Sequence, residues 1–502
     1  MTSDRGNEQP VEGRHGEIAH AFKWSVLGEA SSKLIVPAVF LLLARLLTPE
    51  DFGVMAAAMV VISLSQAIAD GGLGKALVQR RESVDACANA AFWISLAFSA
   101  ALGLLLIAGA PAIASFFGDQ RITPVVRVLA LQVPLTGLAA IPIALLQRDL
   151  AFRELFWVRL ITAGLPALAS IPLALAGAGY WALVAGAVVG QALQLVAVWW
   201  RSPWRPRLGG DRLAAVELTG FGRWAAMSAV LTWGYGWLDA LFVARYLGPH
   251  DMGLYRIGTM VVAMVFGLAF SPLLPVLYSV FSRSGHRIDV VAASLIDTTK
   301  AIAIVSFPIA AVLMLAAPAV QADLFGSRWA GLAPVLTLLA LGQSFAWLVG
   351  SNGEAYRAIG RPRIEAWTMG AALVIYVAGY AVAARQGLIA FVATRVVLVF
   401  VGLALQIYVA NRVFGIRASQ WAMACAKPLA FTLLAALPAL ALQAAFSPGL
   451  PRDASSALAF MATYVILMAT WNRPQIMEFL HSFKTRGAGS AAAAHTGSTF
   501  DG

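Results

Sequence analysis

Ionisable side chains inside long apolar stretches are the residues of this 502-residue chain best placed to do chemistry. A charge in lipid is costly unless it faces a cavity, water or an opposite charge. Glu29 and Lys33 stand four residues apart, on one face of a helix, and Pro37 one turn later should kink that helix. Asp239 lies two turns before the end of another apolar stretch, with Arg245 and Arg256 bracketing the turn that follows. Asp70, Arg127, Arg159, Asp297, Lys300 and Arg395 complete the set. Cations in such positions can hold an anion, and carboxylates can position those cations or bind a proton or metal ion. Each has a plainer alternative. Glu29 and Lys33 can neutralise one another, Arg45 and Arg245 can snorkel to the membrane surface, and Asp70 beside Gly71 and Gly72 can simply end a helix.

The elements that must position these residues follow from length and hydropathy. A spanning helix needs about 20 mainly apolar residues, and fourteen segments qualify: 23–47, 53–74, 86–109, 124–147, 155–177, 180–200, 221–247, 253–281, 290–317, 332–350, 364–384, 388–410, 422–445 and 455–472. Lys and Arg favour cytoplasmic loops. With the N-terminus inside, 23 of the 36 Lys and Arg fall in inner segments, and only Arg121, Arg328, Arg385 and Arg452 in outer ones. That split places both termini in the cytoplasm. Trp24, Trp93, Trp157, Trp181, Trp199 and Trp200 fall mostly at span ends, as interfacial anchors do.

Composition agrees. The chain is 60% hydrophobic and 12% charged, where a soluble domain carries about 25% charged residues. Its net charge of +11 comes from residues scattered over short loops, which suits anionic lipid and not nucleic acid. Cys87 and Cys425 fall in separate apolar segments and read as packed thiols. The first 20 residues are polar, so the first apolar helix is expected to act as an uncleaved targeting signal.

One ten-residue segment occurs twice. Ala44-Arg45-Leu46-Leu47-Thr48-Pro49-Glu50-Asp51-Phe52-Gly53 returns as Ala244-Arg245-Tyr246-Leu247-Gly248-Pro249-His250-Asp251-Met252-Gly253, matching at six of ten positions across an offset of 200 residues. The same offset pairs Trp24 with Trp224 and Lys23 with Arg223. In both copies Pro and Gly read as a turn between two apolar runs. The expected plan is an all-α polytopic membrane protein: an N-terminal tail (1–22), a six-helix bundle (23–200), a cytoplasmic linker (201–220), a second six-helix bundle (221–410), two further helices (411–472) and a C-terminal tail (473–502) with a disordered end. Both halves start inside, which makes them parallel repeats.

Signatures of an enzyme are absent. Outer loops are short and none carries a paired carboxylate suited to a diphosphate and its metal, and no phosphate-binding P-loop occurs. A substrate path between the two halves of a transporter is the reading that remains.

The Ala-Arg-x-Leu-x-Pro-x-Asp-x-Gly turn resembles that of the polysaccharide transporter (Wzx-type) family, flippases for lipid-linked oligosaccharides within the superfamily that holds MATE exporters and the lipid II flippase. Asp70-Gly71-Gly72-Leu73-Gly74-Lys75-Ala76-Leu77-Val78-Gln79, Leu238-Asp239, Leu254-Tyr255 and Ala358-Ile359-Gly360-Arg361-Pro362 fit as well. Leu146-Gln147-Arg148-Asp149-Leu150-Ala151-Phe152 looks most like the exopolysaccharide (colanic-acid type) branch. The resemblance covers roughly residues 20–420; the last two helices match in hydropathy alone. It implies two six-helix bundles in a V and alternating access. The implied substrate is an undecaprenyl-diphosphate-linked oligosaccharide moved from the cytoplasmic to the periplasmic leaflet of a bacterial inner membrane, for exopolysaccharide, O-antigen or capsule synthesis. Lys33, Arg45, Arg159, Arg245 and Arg395 would then hold the diphosphate. Glu29, Asp70, Asp239 and Asp297 would position them or carry a coupling proton or sodium ion. No resident cofactor or metal is implied, and a polymerase or export complex is a candidate partner. The rival readings are a MATE-like exporter of small amphiphiles and a membrane polymerase or ligase.

Overall fold

In lipid every backbone N–H and C=O must be paired, and apolar runs of about 20 residues meet that need as helices, whose hydrogen bonds lie within the segment. The computed structural model describes residues 35–70, 74, 77, 84–207, 212–270, 287–447 and 449–471, with side chains at 70, 212–226 and 450 excepted. Glu29, Lys33, Trp24 and the side chain of Asp70 therefore lie outside the described residues. Among the described residues all regular structure is helical.

Fourteen helical segments can be numbered in order: α1 (Ile35–Leu46), α2 (Pro49–Asp70), α3 (Val84–Phe117), α4 (Ile122–Arg148), α5 (Phe152–Leu175), α6 (Tyr180–Arg201), α7 (Arg212–Tyr246), α8 (Gly248–Phe270), α9 (Ile288–Phe325), α10 (Leu332–Ala358), α11 (Arg363–Ala383), α12 (Leu388–Phe414), α13 (Ala418–Ala445) and α14 (Leu450–Trp471). Twelve of them, all but α1 and α7, are long and apolar enough within the described residues to cross a membrane. Each of the fourteen falls on one expected segment, and the local breaks have local causes. In α5 the helix is interrupted at Leu165-Pro166, where proline lacks the N–H that would continue the ladder. In α9, Pro318 precedes a π-helical turn at Val320–Phe325.

The repeated motif differs from its sequence reading. Its Pro49-Glu50-Asp51-Phe52 forms the first turn of α2 itself, and the connection from α1 is only Leu47-Thr48. The Thr48 Oγ1 accepts the Asp51 N–H at 3.3 Å, and Asp51 Oδ2 accepts the Thr48 N–H at 3.0 Å. This is a reciprocal capping box with Asp in place of Glu, and Pro49 takes the first helical position, where a missing N–H does no harm. The motif is a helix start because the cap outweighs the turn propensity of Pro and Asp. Thr48→Ala should lower stability by about 1 kcal/mol, read as a reduced thermal midpoint in detergent; an unchanged midpoint would mean the cap is energetically silent. Likewise α7 begins at Arg212, inside the segment expected as linker, since no proline or glycine falls within 212–219.

Two compact units divide the chain. The first draws on Met1–Leu268, Gln321–Leu339 and Ala366–Leu398. Within it α2 packs on α3, α4 and α7, and the Trp233 indole N–H donates to Ser63 Oγ at 3.0 Å to tie α7 to α2. A core of Cys87, Ala91, Phe92, Ile141 and Leu145 joins α3 to α4. The second unit draws on Ala269–Val320, Ala340–Glu365 and Val399–Gly502. There α13 and α14 pack on each other and on α9. The Tyr464 hydroxyl donates to the Ile304 carbonyl at 2.8 Å, and the Gln443 side chain donates to the Leu315 carbonyl at 3.1 Å. Val291, Leu295, Tyr356, Phe414 and Trp421 close a second core. Both cysteines are free thiols, Cys87 buried and Cys425 half-buried.

Candidate functional site

The two copies of the motif meet face to face. A Cβ at Gly53 would overlap the Pro249 carbonyl oxygen, and a Cβ at Gly253 would overlap the Pro49 carbonyl oxygen. Glu50 Oε1 lies 2.7 Å from His250 Nδ1, its counterpart at the same offset. The contact is self-complementary, like a two-fold interface built within one chain. Glycine at 53 and 253 is required by this approach, because only a residue without Cβ lets the backbones touch.

Other motif residues anchor the seam. Trp329 is fully buried, donates its indole N–H to the Ala44 carbonyl at 2.8 Å and packs edge-on against Phe52. The Arg45 guanidinium donates to the backbone carbonyls of Asp323 and Leu324. These carbonyls end α9, so the cation satisfies orphan acceptors at the negative end of a helix. Arg45 is thus engaged in holding the fold, with its planar fork used as a cap.

The deeper polar site sits on α7, α8 and α12. Asp239 lies seven residues before the end of α7, Tyr255 seven after the start of α8, and Arg395 seven after the start of α12. At 1.5 Å per residue all three fall in one layer, ~10 Å in from the same helix ends. The Tyr255 hydroxyl donates to Asp239 Oδ2 at 2.5 Å, and Arg395 Nη1 donates to the Tyr255 hydroxyl at 2.7 Å. Arg395 Nη1 is 3.4 Å from Asp239 Oδ2, and the guanidinium carbon lies 5.6 Å from the Tyr255 ring centre. Such a triad makes charge tolerable at this depth, since each group is paired and hydrogen-bonded.

The pair is unequally sheltered. The Asp239 side chain is 11% exposed and that of Arg395 27%. Guanidinium has five N–H donors in a fixed fork, and one nitrogen supplies the contacts to Tyr255 and Asp239. Among the described residues, Arg395 therefore keeps donor capacity on its other guanidinium nitrogens. A second cation, Arg256, stacks 4.3 Å from the Trp237 ring centre. One carboxylate with two arginines leaves this part of the fold net positive, the arrangement an anionic ligand needs.

Of the residues singled out in the sequence, the structure brings Asp239 and Arg395 together. Arg245 is exposed and lies over Phe116 and Tyr246, 5.3 and 5.4 Å from their ring centres. Arg159 on α5 and Arg127 on α4 are exposed, and Asp297 is exposed in the second unit. Tyr255, the residue that bridges the pair, is uncharged and does not stand out in an apolar run, although the repeat carries a signal for it. Across the 200-residue offset, Asp239, Tyr255 and Arg256 stand opposite Val39, Met55 and Ala56. The second copy carries polar groups where the first is apolar.

Residues 42–334 match the family described as polysaccharide biosynthesis protein. The succinoglycan biosynthesis transport protein ExoT of Rhizobium meliloti (strain 1021) is 28% identical over 318 residues, 63% of this chain; the chain spans 64% of ExoT's own length. The teichuronic acid biosynthesis protein TuaB of Bacillus subtilis (strain 168) is 23% identical over 72% of this chain and 75% of TuaB. The lipopolysaccharide biosynthesis protein WzxC of Escherichia coli (strain K12) is 21% identical over 64% of this chain and 65% of WzxC. Among solved structures, the lipid II flippase MurJ in an inward closed conformation superposes with a TM-score of 0.74 at 13% identity, over 90% of this chain and 99% of MurJ. An inward-facing multidrug resistance MATE family transporter of the MOP superfamily gives a TM-score of 0.57 at 14% identity, over 78% of this chain and 100% of that one. With more than half of its residues matched, this multi-pass membrane protein, whose fold is like those of MurJ and the MATE transporter, belongs to the polysaccharide biosynthesis protein family.

Proposed function

We propose that this protein flips undecaprenyl-diphosphate-linked oligosaccharide repeat units from the cytoplasmic to the periplasmic leaflet of a bacterial inner membrane by alternating access. The observation that carries the proposal is the partly exposed Arg395 paired to Asp239 through Tyr255 at membrane depth. Family membership and the names of ExoT, TuaB and WzxC support the polysaccharide context, and the likeness to MurJ supports the fold. The distribution of Lys and Arg supports a cytoplasmic position for both termini. The halves expected at 23–200 and 221–410 would be the bundles whose relative movement carries the substrate.

The chemistry runs as an exchange of partners. A diphosphate offers strong acceptor oxygens, which compete with Asp239 for the Arg395 fork. Arg256 adds positive charge nearby. Release of Arg395 leaves Asp239 held by the Tyr255 hydroxyl, and its charge is then free to be neutralised by a proton or a monovalent cation. Coupling to either ion would enter at that carboxylate. Lys33, outside the described residues, and exposed Arg159 and Arg245 are further candidates along the path.

The test is the leaflet in which the lipid-linked oligosaccharide accumulates in a deletion strain that still makes its repeat unit. Build-up on the cytoplasmic side, cleared by restoring the protein, is the expected result. Build-up on the periplasmic side would place the protein after the flipping step and overturn the proposal.

A further inference from the structure

A run of aromatic rings leads away from Arg395 across α8, α12 and α11 to α7. Tyr255 lies under the guanidinium, Phe391 meets Tyr255 edge-on at 5.9 Å, and Tyr380 stacks on Phe391 at 5.0 Å. Tyr376 follows at 6.1 Å from Tyr380, and Tyr235 at 5.9 Å from Tyr376. The rings nearest the ion pair are buried, whereas Tyr376 is half-buried and Tyr235 is 48% exposed. Buried rings thus form a rigid backing, and the last two present a surface.

Depth and neighbours say what that surface faces. Tyr235 is eleven residues from the end of α7, ~16 Å in, near the middle of a hydrocarbon core ~30 Å thick. Tyr235 is hydrogen-bonded to Tyr376 and stands four residues before Asp239, on the same face of α7. The exposed part of Tyr235 therefore lies on the side of α7 that carries the ion pair. The ring stands between Gly234 and Gly236, and a Cβ at Gly236 would meet nothing within 4 Å. The flank at Gly236 is left open, whereas Gly234 lies against Leu373.

We propose that Tyr235 and Tyr376 form a carbohydrate-contact surface, on which a pyranose lies by its C–H face while the adjoining phosphate reaches Arg395. The pieces match in chemistry and length. Aromatic faces carry the partial negative charge that sugar C–H groups seek, and the phenol hydroxyls can bond sugar hydroxyls. Tyr235 is four residues deeper than Asp239 on α7, a rise of ~6 Å, about the length of one pyranose. This inference rests on the proposed function above and adds the sugar subsite to it.

The experiment compares binding of two lipids to purified protein in nanodiscs: lipid-linked oligosaccharide extracted from the host, and undecaprenyl diphosphate without sugar. Wild-type protein should bind the sugar-bearing lipid about tenfold more tightly, equivalent to ~1.4 kcal/mol. Tyr235→Ala with Tyr376→Ala should abolish that preference and leave affinity for the bare lipid unchanged. The double Phe variant should retain most of the preference, since its rings remain. A double Ala variant that keeps the tenfold preference would overturn the subsite, as would wild-type protein that binds both lipids equally. Wild-type protein that binds neither would overturn the proposed function itself.

Discussion

Arg395→Ala, at unchanged membrane expression, should stop polymer production and also destabilise the protein. The stability loss follows from leaving Asp239 buried without its cation, a change that costs about 3–5 kcal/mol in buried pairs. Tyr255 would still donate to Asp239 at 2.5 Å, but a hydroxyl cannot neutralise a carboxylate. A loss of both folding and activity would not by itself assign Arg395 to substrate. The decisive variant is Asp239→Asn combined with Arg395→Gln. Replacing both charges removes the desolvation cost along with the attraction, and such swaps are often neutral or stabilising. The double variant should therefore recover most of the thermal midpoint while remaining inactive, because glutamine carries no charge for a diphosphate. Recovery of polymer production in the double variant would show that the pair is structural and that the anion is held elsewhere.

Gly53→Val should have the second largest effect. The added side chain would meet the Pro249 backbone, which cannot move aside as a flexible side chain would. Overpacking in well-packed cores costs about 1–3 kcal/mol, and contact with main chain belongs at the upper end. Gly253→Val should cost a similar amount against Pro49, because the contact is reciprocal. The function of the seam can be separated from its stability by a reducible cross-linker joining Cys replacements at Glu50 and His250, whose side chains lie 2.7 Å apart, in a protein lacking Cys87 and Cys425. If the two motif copies part during transport, cross-linking should stop polymer production and reduction should restore it. Full production with complete cross-linking would mean the seam stays closed throughout the cycle.

Much of the architecture was legible one segment at a time. Hydropathy located fourteen spans, and each reappears as a helix from α1 to α14, because a backbone in lipid has no competing way to satisfy its own hydrogen bonds. Boundaries were less legible. The reading of Pro49-Glu50-Asp51 as a turn missed the cap at Thr48, where two side-chain contacts convert turn-forming residues into a helix start. Charged residues were legible as candidates, since a carboxylate at position 239 and an arginine at 395 stand out in apolar runs.

What the residue order could not express was partnership. Arg45 and Arg395 look alike in sequence, each an arginine in an apolar span, yet one caps carbonyls at the end of α9 and the other meets Asp239. Their roles depend on neighbours 279 and 156 positions away, and no local propensity reports such a contact. The same holds for the repeat: an internal match of six residues announced two related copies, but only folding brought Gly53 onto Pro249 and Gly253 onto Pro49. Sequence alone determined the membrane class, the spans and the set of charges that burial makes expensive, since these depend on each residue's own solvation. Tertiary structure decided which charge neutralises which, because that energy depends on distances of a few ångströms between helices far apart in the chain.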